Sequence, residues 1–156
     1  MKTVYLFVGQ MGSGKSWLGS RFAKRIKAHF YEGDDSLPPE LKAKVERCAP
    51  LTREEVKKFV REHLWWDCLI GANQHGCVVV SQALYNDSDR LWLTSRLRAW
   101  GCDVLFVHVK VPIWKNIKQL WGRRNGLRWI LMWALSRSWF ETPTHPCLEI
   151  AEVNHV

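Results

Sequence analysis

One stretch constrains this chain more than any other: Val4–Ser16, reading VYLFVGQMGSGKS. Five consecutive apolar residues end at Gly9 and run directly into G-x-x-x-x-G-K-S, the spacing of a phosphate-binding (Walker A) loop. Glycine at these positions lets backbone N–H groups turn inward around a phosphate. The loop residues Gly12, Ser13, Gly14, Lys15 and Ser16 are therefore candidates for holding a nucleotide. Lys15 would place a point charge by the β- and γ-phosphates, and the Ser16 hydroxyl would ligand Mg²⁺. The following segment, Trp17–Ala28, reads as a helix, so its positive N-terminal end faces the anion. Strand before and helix after is the context such a loop requires.

A chain of 156 residues with 47% apolar content is long enough to bury the core of one globular domain, expected over residues 1–156. The five cysteines (Cys48, Cys68, Cys77, Cys102 and Cys147) include no C-x-x-C pair and read as reduced thiols of a cytoplasmic protein. The initial apolar run is too short for a signal peptide. The longest apolar stretch, Trp129–Leu135, falls far below the roughly 20 residues that cross a bilayer, so no membrane partner is expected. Net charge is +8. It implies attraction either of an anionic substrate such as ATP or of nucleic acid.

Thr3–Val8 reads as a strand buried on both faces. In the helix after the loop, Leu18, Phe22 and Ile26 share one face at helical spacing. A brief second strand, Ala28–Tyr31, leads into Glu32-Gly33-Asp34-Asp35. Ligands of open α/β sheets bind beyond the carboxyl ends of the strands. Asp34 and Asp35 are thus candidates for acceptor contacts, with Asp34 also a candidate base and Mg²⁺ partner; the bland alternative is an acidic turn in which Ser36 caps a short helix. Residues 38–70 read as helical, with a capping box at Thr52-Arg53-Glu54-Glu55. Beyond it Val56, Phe59, Val60, His63, Leu64 and Cys68 form one apolar face, which marks His63 as packed. Of the adjacent Trp65 and Trp66, one is expected in the core and the other beside the acceptor.

A third strand, Cys77–Val80, ends at Ser81 and Gln82, where many phosphate-loop proteins carry a magnesium-binding aspartate. Gln82 is a candidate acceptor contact. A helix capped by Asn86-Asp87-Ser88 runs to Trp100, with Leu93, Leu97 and Trp100 on one side. The fourth strand is Asp103–Lys110, and Pro112 opens a further helix. Segment 113–140 then holds five of the ten tryptophans around the basic hinge Arg123-Arg124-Asn125-Gly126-Leu127-Arg128. Arginines on a mobile flap can clamp a migrating phosphoryl group and exclude water, which makes Arg123 and Arg124 catalytic candidates and Arg128 a nucleotide contact. The alternative is a solvated basic turn with tryptophans that are simply core, and aromatic–basic interleaving also suits stacking on a nucleobase. Thr142–Pro146 reads as a rigid turn before a fifth strand, Cys147–Ile150.

In sequence order, the motifs Gly9–Ser16, Phe30–Pro39 (FYEGDDSLPP), Cys48–Glu55 (CAPLTREE), Val78–Leu84 (VVVSQAL), the basic flap and Trp139–Pro146 (WFETPTHP) make a pattern. It resembles the gluconokinase branch of the P-loop small-molecule kinases and, more broadly, shikimate, adenylylsulfate and nucleotide kinases. The resemblance covers most of residues 3–150. It implies an α/β P-loop NTPase fold with a five-stranded parallel sheet, order 2-3-1-4-5, flanked by helices and carrying an arginine-bearing lid. It also implies ATP and Mg²⁺ as cofactors and transfer of the γ-phosphoryl group to a hydroxyl.

The departures fall on the acceptor side. Leu37-Pro38 stands near the family's His-Pro, and Gln82-Ala83-Leu84-Tyr85 replaces a Ser-Ala-Leu-Lys/Arg turn. Val56 lies near a usual arginine, and the family's terminal helix is expected to be missing. Three readings follow: a small-molecule kinase of the gluconokinase type, a kinase acting on a nucleotide or a hydroxymethylated base in phage DNA, and a non-catalytic nucleotide-binding module.

Overall fold

The computed structural model describes residues 1–144 and the backbone of residues 148–150. His145 and Pro146 of the expected rigid turn, Cys147 at the expected start of the fifth strand, and residues 151–156 lie outside the described residues. Five parallel strands make one sheet in the order β2-β3-β1-β4-β5. They are β1 (Lys2–Val8), β2 (His29–Glu32), β3 (Cys77–Ser81), β4 (Cys102–Val109) and β5 (Leu148–Ile150). Parallel strands require crossover connections that cover both faces, which is why β1 is apolar in both directions. Val4, Leu6 and Val8 point into one layer with Phe59, Val60, Leu64, Leu93 and Leu97. Phe7 points into the other, with Ala23, Val79, Val107 and Val109. Each fully buried side chain of this kind contributes roughly 1.5–3 kcal/mol.

Helix α1 (Lys15–Ile26) starts two residues earlier than its apolar pattern suggests, which brings Lys15 and Ser16 into its first turn. It lies on the sheet through Gly19, where an added Cβ would sit 3.1 Å from the Phe30 ring. The buried positions are Gly19 and Ala23, and Ile26 is exposed. The expected Leu18–Phe22–Ile26 face is therefore rotated toward the small residues, because the close approach needs them.

The long helical region is broken into α2 (Pro39–Glu46), α3 (Arg53–Phe59) and α4 (Trp65–His75), with a π-helical turn over Val60–Leu64 joining the last two. The break at Cys48 has a left-handed backbone, φ 57°. The capping box is present: Thr52 Oγ1 accepts from Glu55 N at 3.2 Å, and Glu55 accepts from Thr52 N at 2.7 Å. Phe59, Val60, Leu64 and Cys68 are buried as the spacing requires, and His63 stacks on Phe59. Ser36 caps no helix; its hydroxyl bonds that of Tyr31. Trp65 is in the core, whereas Trp66 is half-exposed and away from the cleft described below.

Helix α5 (Asp87–Ala99) buries Leu93 and Leu97 but leaves Trp100, just beyond its end, half-exposed. Helices α6 (Ile113–Trp121) and α7 (Gly126–Ser136) form a pair joined by Gly122–Asn125. Asn125 adopts the left-handed conformation at φ 62°, and a Cβ on Gly126 would meet Trp121 O at 2.4 Å. Of the five tryptophans here only Trp133 is buried, and its Nε1 donates to Gln10 Oε1 at 3.3 Å. Trp114, Trp121 and Trp139 are largely exposed, so Trp133 is the one that fastens the pair to the phosphate loop.

Among the described residues, Cys48, Cys68, Cys77 and Cys102 are free thiols, and no helix is long and apolar enough to cross a membrane.

Candidate functional site

The phosphate loop is shaped by what will not fit around it. A Cβ on Gly9 would sit 2.6 Å from Val109 O, and one on Gly12 would sit 2.9 Å from Leu120 Cγ. Gly12 and Gly14 have φ of 74° and 82°, values that side chains oppose. The loop closes with Ser13 N donating to Gln10 O at 3.1 Å, and α1 begins at Lys15. Burial pushes the Lys15 ammonium below its ordinary pKa; Asp34 and Glu32 oppose that shift, and Arg123 adds to it. Asp34 and Arg123, two groups that sequence reading assigned to the site, thus both act on the charge of Lys15.

Lys15 and Ser16 open onto a cleft of about 340 Å³ that also takes in Glu32, Asp34, Gln82, Tyr85 and Arg123. Its apolar lining comes from Val45, Pro50, Leu51, Val56, Trp129, Met132 and Trp139. Glu32 was not singled out from the sequence. It is the last residue of β2 and pairs in register with Ser81, the last of β3. Ser81 Oγ lies 3.0 Å from Ser16 Oγ. Burial raises the Glu32 pKa above the usual carboxylate value, against hydrogen bonds from Ser16 and Ser81 and the charge of Lys15. Three hard oxygen donors, on Ser16, Ser81 and Glu32, therefore meet beside the lysine, a donor set that suits Mg²⁺. Among the described residues, no group of three or more His, Cys, Asp or Glu is placed to hold a metal.

Gly33 explains the Gly-Asp step. A Cβ there would lie 2.4 Å from Gln82 Oε1 and 3.0 Å from Ser81 O. Only glycine lets β2 turn past the end of β3 and set Asp34 into the cleft. Asp35, one residue on, is exposed and lines no part of it. Gln82 Oε1 is buried and has no hydrogen-bond partner. Residues 82–85 are held from behind by Arg90, which is fully buried. Its Nη1 donates to Leu84 O at 2.6 Å, and its guanidinium pairs with Asp87 at 3.1 Å. Asp87 in turn bonds Thr144 N, which ties the final segment to the same loop.

From the basic hinge, Arg123 lines the cleft with its guanidinium 5.1 Å over the Trp129 ring. Arg124 and Arg128 are exposed and line no part of it. The structure thus brings Lys15, Ser16, Asp34, Gln82 and Arg123 together and leaves Asp35, Arg124 and Arg128 outside. Ser81 stands where many phosphate-loop proteins carry a metal-binding aspartate, whereas Glu32 and Arg90 carried little sequence signal: Glu32 lies one residue past the expected end of β2 at Tyr31, and Arg90 has only the i,i+3 spacing to Asp87 of an ordinary helix surface pair.

Comparison with known proteins agrees with this geometry. The chain superimposes on a gluconokinase from Sinorhizobium meliloti 1021 with a TM-score of 0.74 at 20% identity, covering 96% of this chain and 81% of that one. The fold is that of the P-loop small-molecule kinases. A sugar kinase from Janibacter sp. HTCC2649 matches equally well, with a TM-score of 0.74 at 20% identity over 97% of this chain and 84% of that one. In sequence, a probable gluconokinase from Xenopus tropicalis is 36% identical over 52 residues, 33% of this chain. That match spans 27% of the relative's length. No protein-family model matches the chain.

Proposed function

We propose that the protein is an ATP-dependent phosphotransferase that moves the γ-phosphoryl group to a hydroxyl of a small acceptor. The observation that carries this reading is one cleft lined by Lys15 and Ser16 of the phosphate loop, Asp34 from beyond β2, and Arg123 from the α6–α7 pair. In it, the backbone of Gly12–Ser16 cradles the β- and γ-phosphates and Lys15 neutralises them. Asp34 accepts the proton of the attacking hydroxyl as its oxygen bonds to phosphorus and the bond to ADP breaks. Arg123 sits where negative charge spreads over the migrating group. Ser16, with Ser81 and Glu32 around it, would hold Mg²⁺, which would supply positive charge to offset that of the phosphates. Residues 1–156 act as one domain, with 113–140 as its lid. The partial match to a probable gluconokinase and the fold neighbours support a kinase of the sugar-kinase type.

The test is transfer of label from γ-³²P-ATP to a panel of sugar acids, polyols, nucleosides and nucleotides. Stoichiometric transfer that Lys15→Ala abolishes supports the reading; nucleotide binding without transfer to any hydroxyl would leave a binding module. A second reading, in which the hydroxyl belongs to a modified base within DNA, draws on one observation. Between Val104 and Phe140 the chain carries seven lysines and arginines and no acidic residue, with Arg124 and Arg128 exposed outside the cleft. It requires DNA binding that weakens steeply with salt.

A further inference from the structure

We propose that the acceptor is an uncharged hydroxyl compound with an apolar or aromatic face, and not an anion such as a sugar acid or a phosphorylated molecule. This rests on the kinase reading above and concerns the far end of the same cleft.

Among the described residues, two cations line the cleft, Lys15 and Arg123. Both belong to its phosphate end: Lys15 follows Gly14 in the loop, and the charge of Arg123 acts on Lys15. A transferring phosphoryl group, with three charged equatorial oxygens, takes up both. What remains for the acceptor is apolar, neutral polar or acidic. Leu51, Val56, Trp129, Met132 and Trp139 supply apolar lining, Gln82, Tyr85 and Ser136 neutral polar groups, and Asp34 a carboxylate. An ionised carboxylate placed there would lose its hydration without gaining a cation, and would meet the like charge of Asp34.

Neither of the nearby cations Arg90 and Arg53 lines this cleft. Arg90 is fully buried behind the 82–85 loop, where it bonds Asp87 and the carbonyls of Leu84 and Glu141. Arg53 lines an adjoining cleft, which shares Leu51, Val56, Tyr85 and Trp139 with this one. Gln82 adds a positive indication. Its buried Oε1 has no hydrogen-bond partner, so a hydroxyl or N–H donor from the acceptor would satisfy it. The indole faces and the Met132 thioether suit a flat apolar surface.

The test compares matched pairs that differ in charge: glucitol with gluconate, methyl shikimate with shikimate, and thymidine with thymidine 5′-monophosphate. Binding is read by calorimetry and by quenching of tryptophan fluorescence, with Mg²⁺ and a non-hydrolysable ATP analogue present. The uncharged member of at least one pair should bind at least about tenfold more tightly than its partner, and no anion should be preferred. Preference for any anionic member overturns the proposal, as does failure of every uncharged member to bind. Val56→Arg should invert the preference by supplying the missing cation; Leu51→Arg, in the loop before α3, gives the same reading where Val56→Arg does not fold. An unchanged preference in whichever variant folds also overturns it. Binding of the ATP analogue, and its loss in Lys15→Ala, reports separately on the kinase reading, so failure of the acceptor proposal and failure of that reading leave different records.

Discussion

The two ends of the cleft are built on different principles. At the phosphate end the main chain sets the shape: glycines at φ of 74° and 82° aim N–H groups, and α1 starts where an anion would sit. At the acceptor end the shape is made by side chains from separate segments: Asp34 after β2, Leu51 and Val56 around the start of α3, Gln82 after β3, and Trp129 and Met132 on α7. A triphosphate is the same ligand in every kinase, so fixed backbone geometry serves it. An acceptor differs from one kinase to the next, and side chains are what can change without disturbing the sheet. It follows that substitutions at the phosphate end should stop the reaction whatever the acceptor, while those at the acceptor end should redirect it.

The largest effect is expected at Lys15. Lys15→Ala should lower turnover by about 10³-fold or more with every acceptor, since it removes a charge aimed at the migrating group. Because burial disfavours the Lys15 ammonium, the variant should unfold at the same temperature as the parent or a higher one without nucleotide. Turnover within a factor of two of the parent, or a large loss of stability, would contradict the division between the ends. Asp34→Asn comes next. It should slow transfer by about 10²-fold, the lower end of general-base contributions, and leave Mg²⁺–ATP affinity nearly unchanged. Calorimetry with an ATP analogue separates the two; equal losses in binding and turnover would move Asp34 to the phosphate end.

That division also decided what the sequence could reveal. The phosphate loop is local: its spacing, the strand before it and the helix after it all lie within a short stretch, and the sheet order came with the resemblance they support. The acceptor end depends on register between distant segments. Glu32 acquires its neighbours by pairing with Ser81, and no periodicity in His29–Glu32 announces that. Arg90 is buried because Glu141 and Thr144 fold back over α5, which a helical i,i+3 spacing does not signal. The tryptophans misled for the converse reason. Residue type suggested core, but helix phase leaves Trp114 and Trp121 turned toward solvent, and Trp100 falls just past the end of α5.

The hinge arginines test whether α6–α7 belongs to the phosphate end. Arg123→Ala should reduce turnover by about tenfold, less than a fully desolvated arginine finger, because Arg123 is exposed and partly screened before nucleotide binds. Arg124→Ala and Arg128→Ala should stay within about fivefold of the parent, as exposed charges without a defined partner contribute little. Limited proteolysis supplies the second measurement: ATP should protect residues 121–128 in the parent and protect them less in Arg123→Ala. If Arg124→Ala or Arg128→Ala is the more damaging change, the pair closes in a different orientation. If all three leave transfer intact but flatten the salt dependence of DNA binding, the exposed arginines serve a nucleic-acid backbone.

The smallest effect, and the sharpest on where the two ends meet, concerns Glu32. Burial raises its pKa above the ordinary carboxylate value of 4.5, so the folded protein holds this proton to higher pH than the unfolded chain does. Such a group contributes stability that is complete below about 4.5 and is lost as pH rises through its folded value. Above that folded value and without nucleotide, ionised Glu32 is therefore a cost to the fold. Glu32→Gln removes the charge and keeps the shape, so the free protein should melt roughly 1–3 °C higher at pH 7, with the difference closing as pH approaches 4. Mg²⁺–ATP should reverse the order. A carboxylate beside Ser16 lowers the energy of a bound cation, so the parent should gain more from the nucleotide than the variant. Melting curves at two pH values, each with and without Mg²⁺–ATP, give all four numbers. A variant less stable than the parent at pH 7 in the absence of nucleotide would make Glu32 a structural partner of Ser16 and Ser81, and would remove it from the metal-binding end of the cleft.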